Sequence, residues 1–199
     1  AATVSSTGLV TAVVDGTATI TATSGSANGT AAVTVAVPAS LELSDTLLTF
    51  SALGGTTQLT ATVKNAAGST ISGATVSWAV SDDAVATVSS AGLVTSVANG
   101  SATVTATSGE ASDTVAVTVL QTATSVELSD TLLTFPSLGD TATLTATIKD
   151  DNGNEISGAA VTWTTSAEGV ATVSDAGLVT AVTNGTATIT ATSGSLEAT

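Results

Sequence analysis

Hydrophobic and polar residues alternate along most of this chain. Over residues 102–107, alanine and valine take every second position and threonine takes the positions between them. Over residues 114–119, valine recurs with the same period. Because successive side chains of a β-strand point to opposite faces, this pattern predicts strands with one apolar and one polar face. Turn signals separate the strands, and Asn99-Gly100 in particular is typical of a type I′ hairpin.

One segment occurs three times, as residues 4–25, 88–109 and 173–194, and in its second copy it reads VSSAGLVTSVANGSATVTATSG. Equivalent glycines lie 84 residues apart between Gly8 and Gly92, and 85 apart between Gly92 and Gly177. A unit of this length is a domain, since solenoid repeats run to roughly 20–50 residues. The sequence therefore predicts the C-terminal half of a domain over residues 1–37, a complete domain over 38–121, and a domain lacking its last strand over 122–199.

The composition favours an all-β fold. Hydrophobic residues make up 43% of the chain and aromatic residues only 2%, so most apolar volume comes from valine, alanine, leucine and isoleucine. Such a mixture suits strands better than helices. Seven or eight short strands in a complete unit, with frequent turn signals, predict a β-sandwich. The four aromatic side chains are predicted to anchor the cores: Phe50, Trp78, Phe135 and Trp163.

The charge balance excludes several classes of function. The chain carries a formal net charge of −14 with only two lysines, so it cannot neutralise nucleic-acid phosphates. It contains neither histidine nor cysteine, which removes the commonest catalytic base and a common nucleophile and predicts no enzyme. No apolar run approaches the roughly 20 residues that span a bilayer, so direct membrane insertion is not expected. The expected partners are copies of the chain or neighbouring repeats.

The limits of the sequence raise a separate question. The chain begins at Ala1 and contains no methionine, which suggests a piece of a longer, processed protein. The third unit stops at Thr199, before the equivalent of residues 115–119. Its last strand could come from the continuing chain or from a neighbouring chain, as in donor-strand complementation.

A polar loop in the third unit is a candidate calcium site, because Ca²⁺ prefers hard oxygen ligands. Its members are Asp150, Asp151, Asn152, Asn154 and Glu155. The equivalent loop of the second unit, residues 65–70, contains no carboxylate, and a polar turn with Asx-type hydrogen bonds is the alternative. A second candidate is a cation site at the joint between units, since Glu42 and Asp45 recur as Glu127 and Asp130. No other cofactor is expected.

Three asparagines begin an Asn-x-Ser/Thr acceptor sequence for N-glycosylation: Asn28, Asn99 and Asn184. Asn99 and Asn184 also occupy equivalent hairpin turns, and the first unit has Asp15 at that position. Turn chemistry therefore explains two of the three sequences without a glycan.

Taken together, the motifs resemble the bacterial immunoglobulin-like domain group 2 (BIG2) family. The resemblance covers the whole chain and depends on GLVTxVxxGxATxTATSG together with the upstream segment GATVSW. The loop over residues 149–163 is also similar to the group 1 repeats of invasin and intimin-type adhesins. The resemblance implies tandem immunoglobulin-like sandwiches of the kind found in bacterial surface proteins, adhesins and some phage virion proteins.

These observations predict a structural, extracellular array of Ig-like domains that forms a rod, stalk or filament at the cell surface and performs no catalysis. An adhesin or carbohydrate-binding surface module is one alternative, and a phage virion decoration or tail domain is another. A ligand on a host or neighbouring cell would then be bound by domains outside this sequence. A carbohydrate-binding module would need exposed aromatic side chains, whereas Trp78 and Trp163 are predicted to lie inside.

Overall fold

A computed structural model describes all 199 residues, Ala1–Thr199. The chain consists of strands and turns, which confirms the all-β prediction. No helix of the structure is long and apolar enough to cross a lipid bilayer. The residues form two compact units, of which the first comprises Ala1–Leu48, Thr56–Thr95 and Ser101–Thr118. The second comprises Thr49–Gly55, Ser96–Gly100 and Val119–Thr199.

The first repeat forms two antiparallel hairpins. Its strands are β1 (Ala2–Val4), β2 (Val10–Ala12), β3 (Gly16–Ser24) and β4 (Ala27–Val35). Strand β1 pairs with β2, and β3 pairs with β4. Many apolar side chains of this segment remain accessible: Val10 is 41% exposed, whereas the equivalent Val94 of the second repeat is 0% exposed.

The second repeat contains nine strands, and the alternating residues of its last two strands fill the core. The strands are β5 (Ser40–Leu43), β6 (Leu47–Phe50), β7 (Thr56–Gln58), β8 (Ala61–Lys64), β9 (Ser77–Val80), β10 (Ala86–Val88), β11 (Leu93–Ser96), β12 (Gly100–Ser108) and β13 (Ala111–Val119). They form sheets in the orders β6-β13-β12-β9 and β10-β11-β7 and the pair β5-β8. Val104, Val115 and Val117 are all 0–1% exposed, as their two-residue period predicts.

The third repeat has a similar order of strands with a shorter final strand. Its strands are β14 (Ser125–Leu128), β15 (Thr141–Thr143), β16 (Ala146–Lys149), β17 (Thr162–Thr165), β18 (Ala171–Val173), β19 (Leu178–Ala181), β20 (Ile189–Ser193) and β21 (Leu196–Ala198). Strand β21 pairs with β20 over three residues, whereas the equivalent β13 has nine. Residues 132–135, which are equivalent to β6, form no strand and line an open groove of about 810 Å³.

The indoles lie at the edge of the core and not at its centre. In the first compact unit, Trp78 is half-buried and packs against a cluster that includes Leu41, Val63 and Ala106. Trp163 is likewise half-buried. Of the two phenylalanines, Phe50 is buried and Phe135 is half-buried beside the open groove. Both indoles were predicted to lie inside; they are half-buried, and neither ring is an exposed platform.

The turn at Asn99-Gly100 is not of type I′. That turn requires a positive φ at both central residues, and only glycines have a positive φ in this structure. The Asn99 side chain instead accepts a hydrogen bond from the backbone N–H of Gln121 at 2.7 Å. In the first repeat, Asp15 accepts from the equivalent N–H of Val37. Asparagine and aspartate can therefore exchange here because each supplies a side-chain oxygen.

Candidate functional site: the Asp150 loop

The loop between β16 and β17 is closed by its own backbone. The Asp150 N–H donates to the Asn154 carbonyl at 2.9 Å, and the Gly153 N–H donates to the Asp150 carbonyl at 2.9 Å. Gly153 has a φ of +80°, a conformation that glycine adopts without a steric penalty. Within this frame, Oδ1 of Asp150 accepts from the N–H groups of Asn152 at 3.0 Å and Asn154 at 2.9 Å. These are the bonds of an Asx turn.

The second carboxylate oxygen of Asp150 has its shortest hydrogen bonds with residues outside the loop. Oδ2 accepts from the backbone N–H of Leu53 at 2.9 Å and from Nε2 of Gln121 at 3.0 Å. The carbonyl of Leu53 is also engaged, since it accepts from Nδ2 of Asn152 at 2.8 Å and from Nδ2 of Asn154 at 3.0 Å. We call these five residues the Asp150 cluster, and all of them belong to the second compact unit.

Gln121 extends this network along the segment that connects the second and third repeats. Its backbone N–H donates to Oδ1 of Asn99, and Nδ2 of Asn99 returns a bond to Oε1 of Gln121 at 3.2 Å. The residues on both sides of Gln121 are bonded as well. The N–H of Leu120 donates to the Phe50 carbonyl at 2.9 Å, and that of Thr122 donates to the Ser51 carbonyl at 2.8 Å.

Asp150 is a buried anion without a lysine partner. The residue is only 2% exposed, and the two lysines of the chain instead pair with Glu42 and Glu127. Burial acts to raise the pKa of Asp150, but hydrogen bonds from Gln121, Leu53 and Asn154 outweigh this effect and hold the pKa well below its usual range. The group is therefore a carboxylate at neutral pH, stabilised by N–H donors.

Comparison with protein families identifies the scaffold that carries this loop. The sequence profile described as bacterial Ig-like domain (group 2) matches residues 1–35, 40–119 and 122–199. The chain belongs to this family. The resemblance inferred from the repeated motif is thereby confirmed, together with the tandem Ig-like fold class.

Solved structures with similarity to this Ig-like chain include surface-layer proteins and an adhesin. The S-layer protein rSbsC(31-844) is 22% identical, with a TM-score of 0.40, over 99% of this chain and 36% of that one. Domains 4–9 of the surface layer protein SbsC are 25% identical, with a TM-score of 0.40, over 100% of this chain and 36% of that one. The Escherichia coli adhesin FdeC is 21% identical, with a TM-score of 0.42, over 90% of this chain and 69% of that one. No curated protein matches.

The group 2 Ig-like loop at Asp150 does not fit a calcium ion. Ca²⁺ takes about six to eight oxygen ligands, whereas both oxygens of Asp150 face N–H donors from backbone and side-chain amides. Asp151 and Glu155 are exposed, and no group of three or more acidic side chains is arranged to hold a metal. The geometry is that of the alternative, an Asx turn. Calcium binding by this loop stays a prediction without support from the structure.

Three of the four acidic residues of the proposed joint site have partners within the chain. Glu42 pairs with Lys64 at 2.7 Å, and Glu127 pairs with Lys149 in the equivalent position of the next Ig-like repeat. Asp45 accepts a hydrogen bond from the hydroxyl of Ser44 at 2.8 Å. The structure therefore gives each glutamate a lysine as its partner, and a bound cation would have to compete with that ammonium group.

The three acceptor asparagines differ in their surroundings within the Ig-like repeats. Asn28 is exposed on β4, and Asn184 is exposed in the turn before β20. Asn99 is exposed as well, but both ends of its amide are bonded to Gln121. Glycosylation of these residues stays a prediction, and Asn99 is the one whose amide already has a structural role.

Sequence reasoning found the acidic loop but missed its partners. Leu53 takes part through its backbone alone, so its side chain carries no signal of the contact. Gln121 and Asn99 are single polar residues far from residue 150 in the chain. The sequence carried a signal of these contacts at one position only. Asp15 and Asn99 occupy equivalent turns, and each has a side-chain oxygen that accepts a hydrogen bond.

Proposed function

We propose that this chain is a structural section of an extracellular array of Ig-like domains, which extends as a rod, stalk or filament at a cell surface and performs no catalysis. Membership of the group 2 Ig-like family supports the structural and non-catalytic part of the proposal. The chain spans 36% of the length of the S-layer structures that it matches, so the activity of a whole protein is part of the proposal and not of the findings.

The observation that carries the proposal is the order of the connecting segment. Three of its backbone N–H groups donate to carbonyls: Leu120 to Phe50 at 2.9 Å, Thr122 to Ser51 at 2.8 Å, and Thr124 to Lys149 at 2.8 Å. Gln121 between them is held by Asn99 and Asp150. A flexible linker has no such bonds and behaves as a random coil. An ordered connection supports a role in spacing and extension.

The surface chemistry supports an exposed location. The formal charge of −14 favours solubility in a hydrated, exposed location. The two lysines, which are the only sites for a trypsin-like protease, are both engaged in ion pairs. The half-buried indoles pack against the sandwich and offer no exposed aromatic platform for a sugar, so the carbohydrate-binding alternative receives no support.

Small-angle scattering of the purified chain tests the mechanical part of the proposal. We expect one extended and narrowly distributed conformation that does not change between low and high salt. A matched variant with a five-residue Gly/Ser insertion after Leu120 should show a broader distribution of conformations, because the insertion breaks the register of the hydrogen-bonded segment. Equal distributions for the two proteins would contradict the proposal. Antibody labelling of intact source cells, with permeabilised cells as the control, tests the location.

A further inference from the structure

We propose that the Asp150 cluster is a lock at one junction of the array, in which a buried carboxylate pins the Leu53 segment of the second repeat to the third repeat. The inference deepens the proposed function and rests on it, because a lock between repeats has a purpose only in a mechanical array. Its partner is specific: a backbone N–H and C=O pair presented by the segment Thr49–Gly55.

Asn65 is the residue of the second repeat that is equivalent to Asp150. Oδ1 of Asn65 accepts from the N–H groups of Ala67 at 3.1 Å and Ser69 at 2.9 Å, which are the same local bonds that Oδ1 of Asp150 makes. An Asx turn of this shape therefore needs one side-chain oxygen, and asparagine supplies it. The second oxygen of Asp150 is not required to build the loop.

The extra oxygen of Asp150 faces mainly donors from outside the loop. Oδ2 accepts from the N–H of Leu53 at 2.9 Å and from Nε2 of Gln121 at 3.0 Å, whereas its contact with Nδ2 of Asn154 inside the loop is longer, at 3.5 Å. An asparagine at position 150 would turn an NH₂ group toward two N–H donors, and three donors would then face one another without an acceptor. Removing one partner of a buried hydrogen bond lowers stability, because the remaining donor or acceptor stays buried without a partner. The carboxylate is therefore matched to the contact and not to the turn.

The other side chains of the Asp150 cluster also differ between the repeats. Asn152 and Asn154, which donate to the Leu53 carbonyl, correspond to Ala67 and Ser69 in the second repeat. Gln121 corresponds to Val37, which has no side-chain donor. The backbone of the loop is nevertheless retained, since Gly68 donates to the Asn65 carbonyl at 2.9 Å as Gly153 does to Asp150. The two loops share a shape but not their partners.

The receiving segment is itself held rigid. Oγ of the buried Ser96 donates to the Ala52 carbonyl at 2.8 Å. The Gly54 N–H donates to the Ser96 carbonyl at 3.0 Å, and the Ser96 N–H donates to the Gly55 carbonyl at 2.9 Å. Leu53 lies between these anchored residues, so its N–H and C=O are presented in a fixed orientation. A pre-formed acceptor and donor pair of this kind loses little conformational freedom when the loop binds it.

Amide hydrogen exchange at Leu53 tests the lock directly in the full chain. The variant Asp150→Asn keeps the Asx turn and removes the second acceptor, and we expect exchange of the Leu53 amide to accelerate by about 10-fold or more. Two controls match the chemical change: Asp151→Asn removes an exposed charge at the neighbouring residue, and Asn65→Asp adds a charge at the equivalent position of the second repeat. Both should leave the exchange rate of the Leu53 amide unchanged.

The outcomes separate the lock from a purely local role. If Asp150→Asn leaves Leu53 exchange unchanged, or accelerates only amides inside the loop, the lock is refuted. If Asp150→Asn does not fold, Gln121→Ala and Asn154→Ala replace it, and each should accelerate Leu53 exchange by a smaller factor. Scattering of the wild-type protein distinguishes the two proposals. Faster Leu53 exchange in Asp150→Asn supports the lock, and a narrow size distribution of the wild-type protein supports the array proposal. A broad distribution in the wild-type protein refutes the array proposal instead, whatever the exchange result.

Discussion

The glycine of the GLVT motif lies directly beneath an indole, and this contact makes a quantitative prediction. Gly92 has a φ of +82°, and a Cβ atom added there would lie 2.7 Å from Cζ2 of Trp78 and 2.8 Å from the Leu59 carbonyl oxygen. The Gly92 carbonyl accepts from the Leu59 N–H at 2.9 Å, so the backbone cannot withdraw without breaking a bond. The motif recurs in the third repeat, where a Cβ on Gly177 would contact Trp163 and overlap the Leu144 carbonyl.

The expected cost of Gly92→Ala has two parts. A left-handed φ costs a non-glycine residue about 1–2 kcal/mol. Forcing an atom into a packed site adds about 1–3 kcal/mol. We therefore expect the free energy of unfolding of the second repeat to fall by about 2–5 kcal/mol. Gly68 is the matched control, because its φ is +80° and an added Cβ would meet nothing within 4 Å. Gly68→Ala should cost only the first part.

Urea unfolding followed by tryptophan fluorescence measures both variants. A Trp163→Phe background leaves Trp78 as the only indole, so the signal reports the second repeat. Equal losses for Gly92→Ala and Gly68→Ala would refute the reasoning, since the added contact would then cost nothing. A third variant, Gly92→Ala with Trp78→Leu, contains no indole in this background, so its unfolding is followed by circular dichroism and compared with that of Trp78→Leu alone. Gly92→Ala should cost less in the Trp78→Leu protein if the indole is the obstacle.

Three further predictions follow from the same structure. Trp78→Ala should lower the free energy of unfolding by about 2–3 kcal/mol, measured by urea unfolding followed by circular dichroism, because the ring is only half-buried and a fully buried tryptophan costs about 3–5 kcal/mol. A larger loss would contradict its position at the edge of the core. Asp150 has a lowered folded pKa, so its contribution to stability is present above its unfolded pKa of about 3.9 and is lost as the pH falls through the folded value. The wild-type protein should therefore lose more stability than Asp150→Asn in acid, and parallel pH profiles would contradict this. A peptide with the sequence of residues 114–120, most of which belong to β13, should bind in the groove beside residues 132–135 and raise the melting temperature of the third repeat. A control peptide in which threonine replaces each valine should not raise it.

The strands of this fold could be predicted from the sequence because their signal is local and repeated. Buried side chains recur at every second residue along most of the nine-residue strand β12, and the same period recurs in β13. Burial of Val104 and Val115 follows from that period and from nothing more distant. Residues 132–135 show the limit of such reasoning. They resemble β6 in sequence, yet they form no strand. Strand β6 lies beside the nine-residue β13, whereas β21, the equivalent of β13, has only three residues. Strand formation here depends on a partner as well as on propensity.

The turn at Asn99 could not be predicted correctly, because its preference is set by a residue far along the chain. Asn-Gly has a strong local preference for type I′, but Asn99 does not adopt a positive φ. Its side chain receives the N–H of Gln121 and returns a bond to the glutamine oxygen. The tertiary hydrogen bonds thus override the local preference for a type I′ turn. The first repeat has Asp15 in place of this asparagine, and its side-chain oxygen accepts from the Val37 N–H. This exchange of asparagine for aspartate indicated the contact in the sequence.

Asp150 shows why the composition of a polar loop does not by itself identify the surroundings of its carboxylate. Five oxygen-bearing side chains in one loop resemble a cation site by composition. What decides between a cation and an anion environment is the set of groups facing the carboxylate, and most of these are backbone N–H donors, which every sequence contains. One of them, the N–H of Leu53, lies 97 residues away. A difference between repeats is therefore more informative than the loop's composition. Asn65 builds the same turn without a charge, so the charge at Asp150 must serve a contact outside the turn.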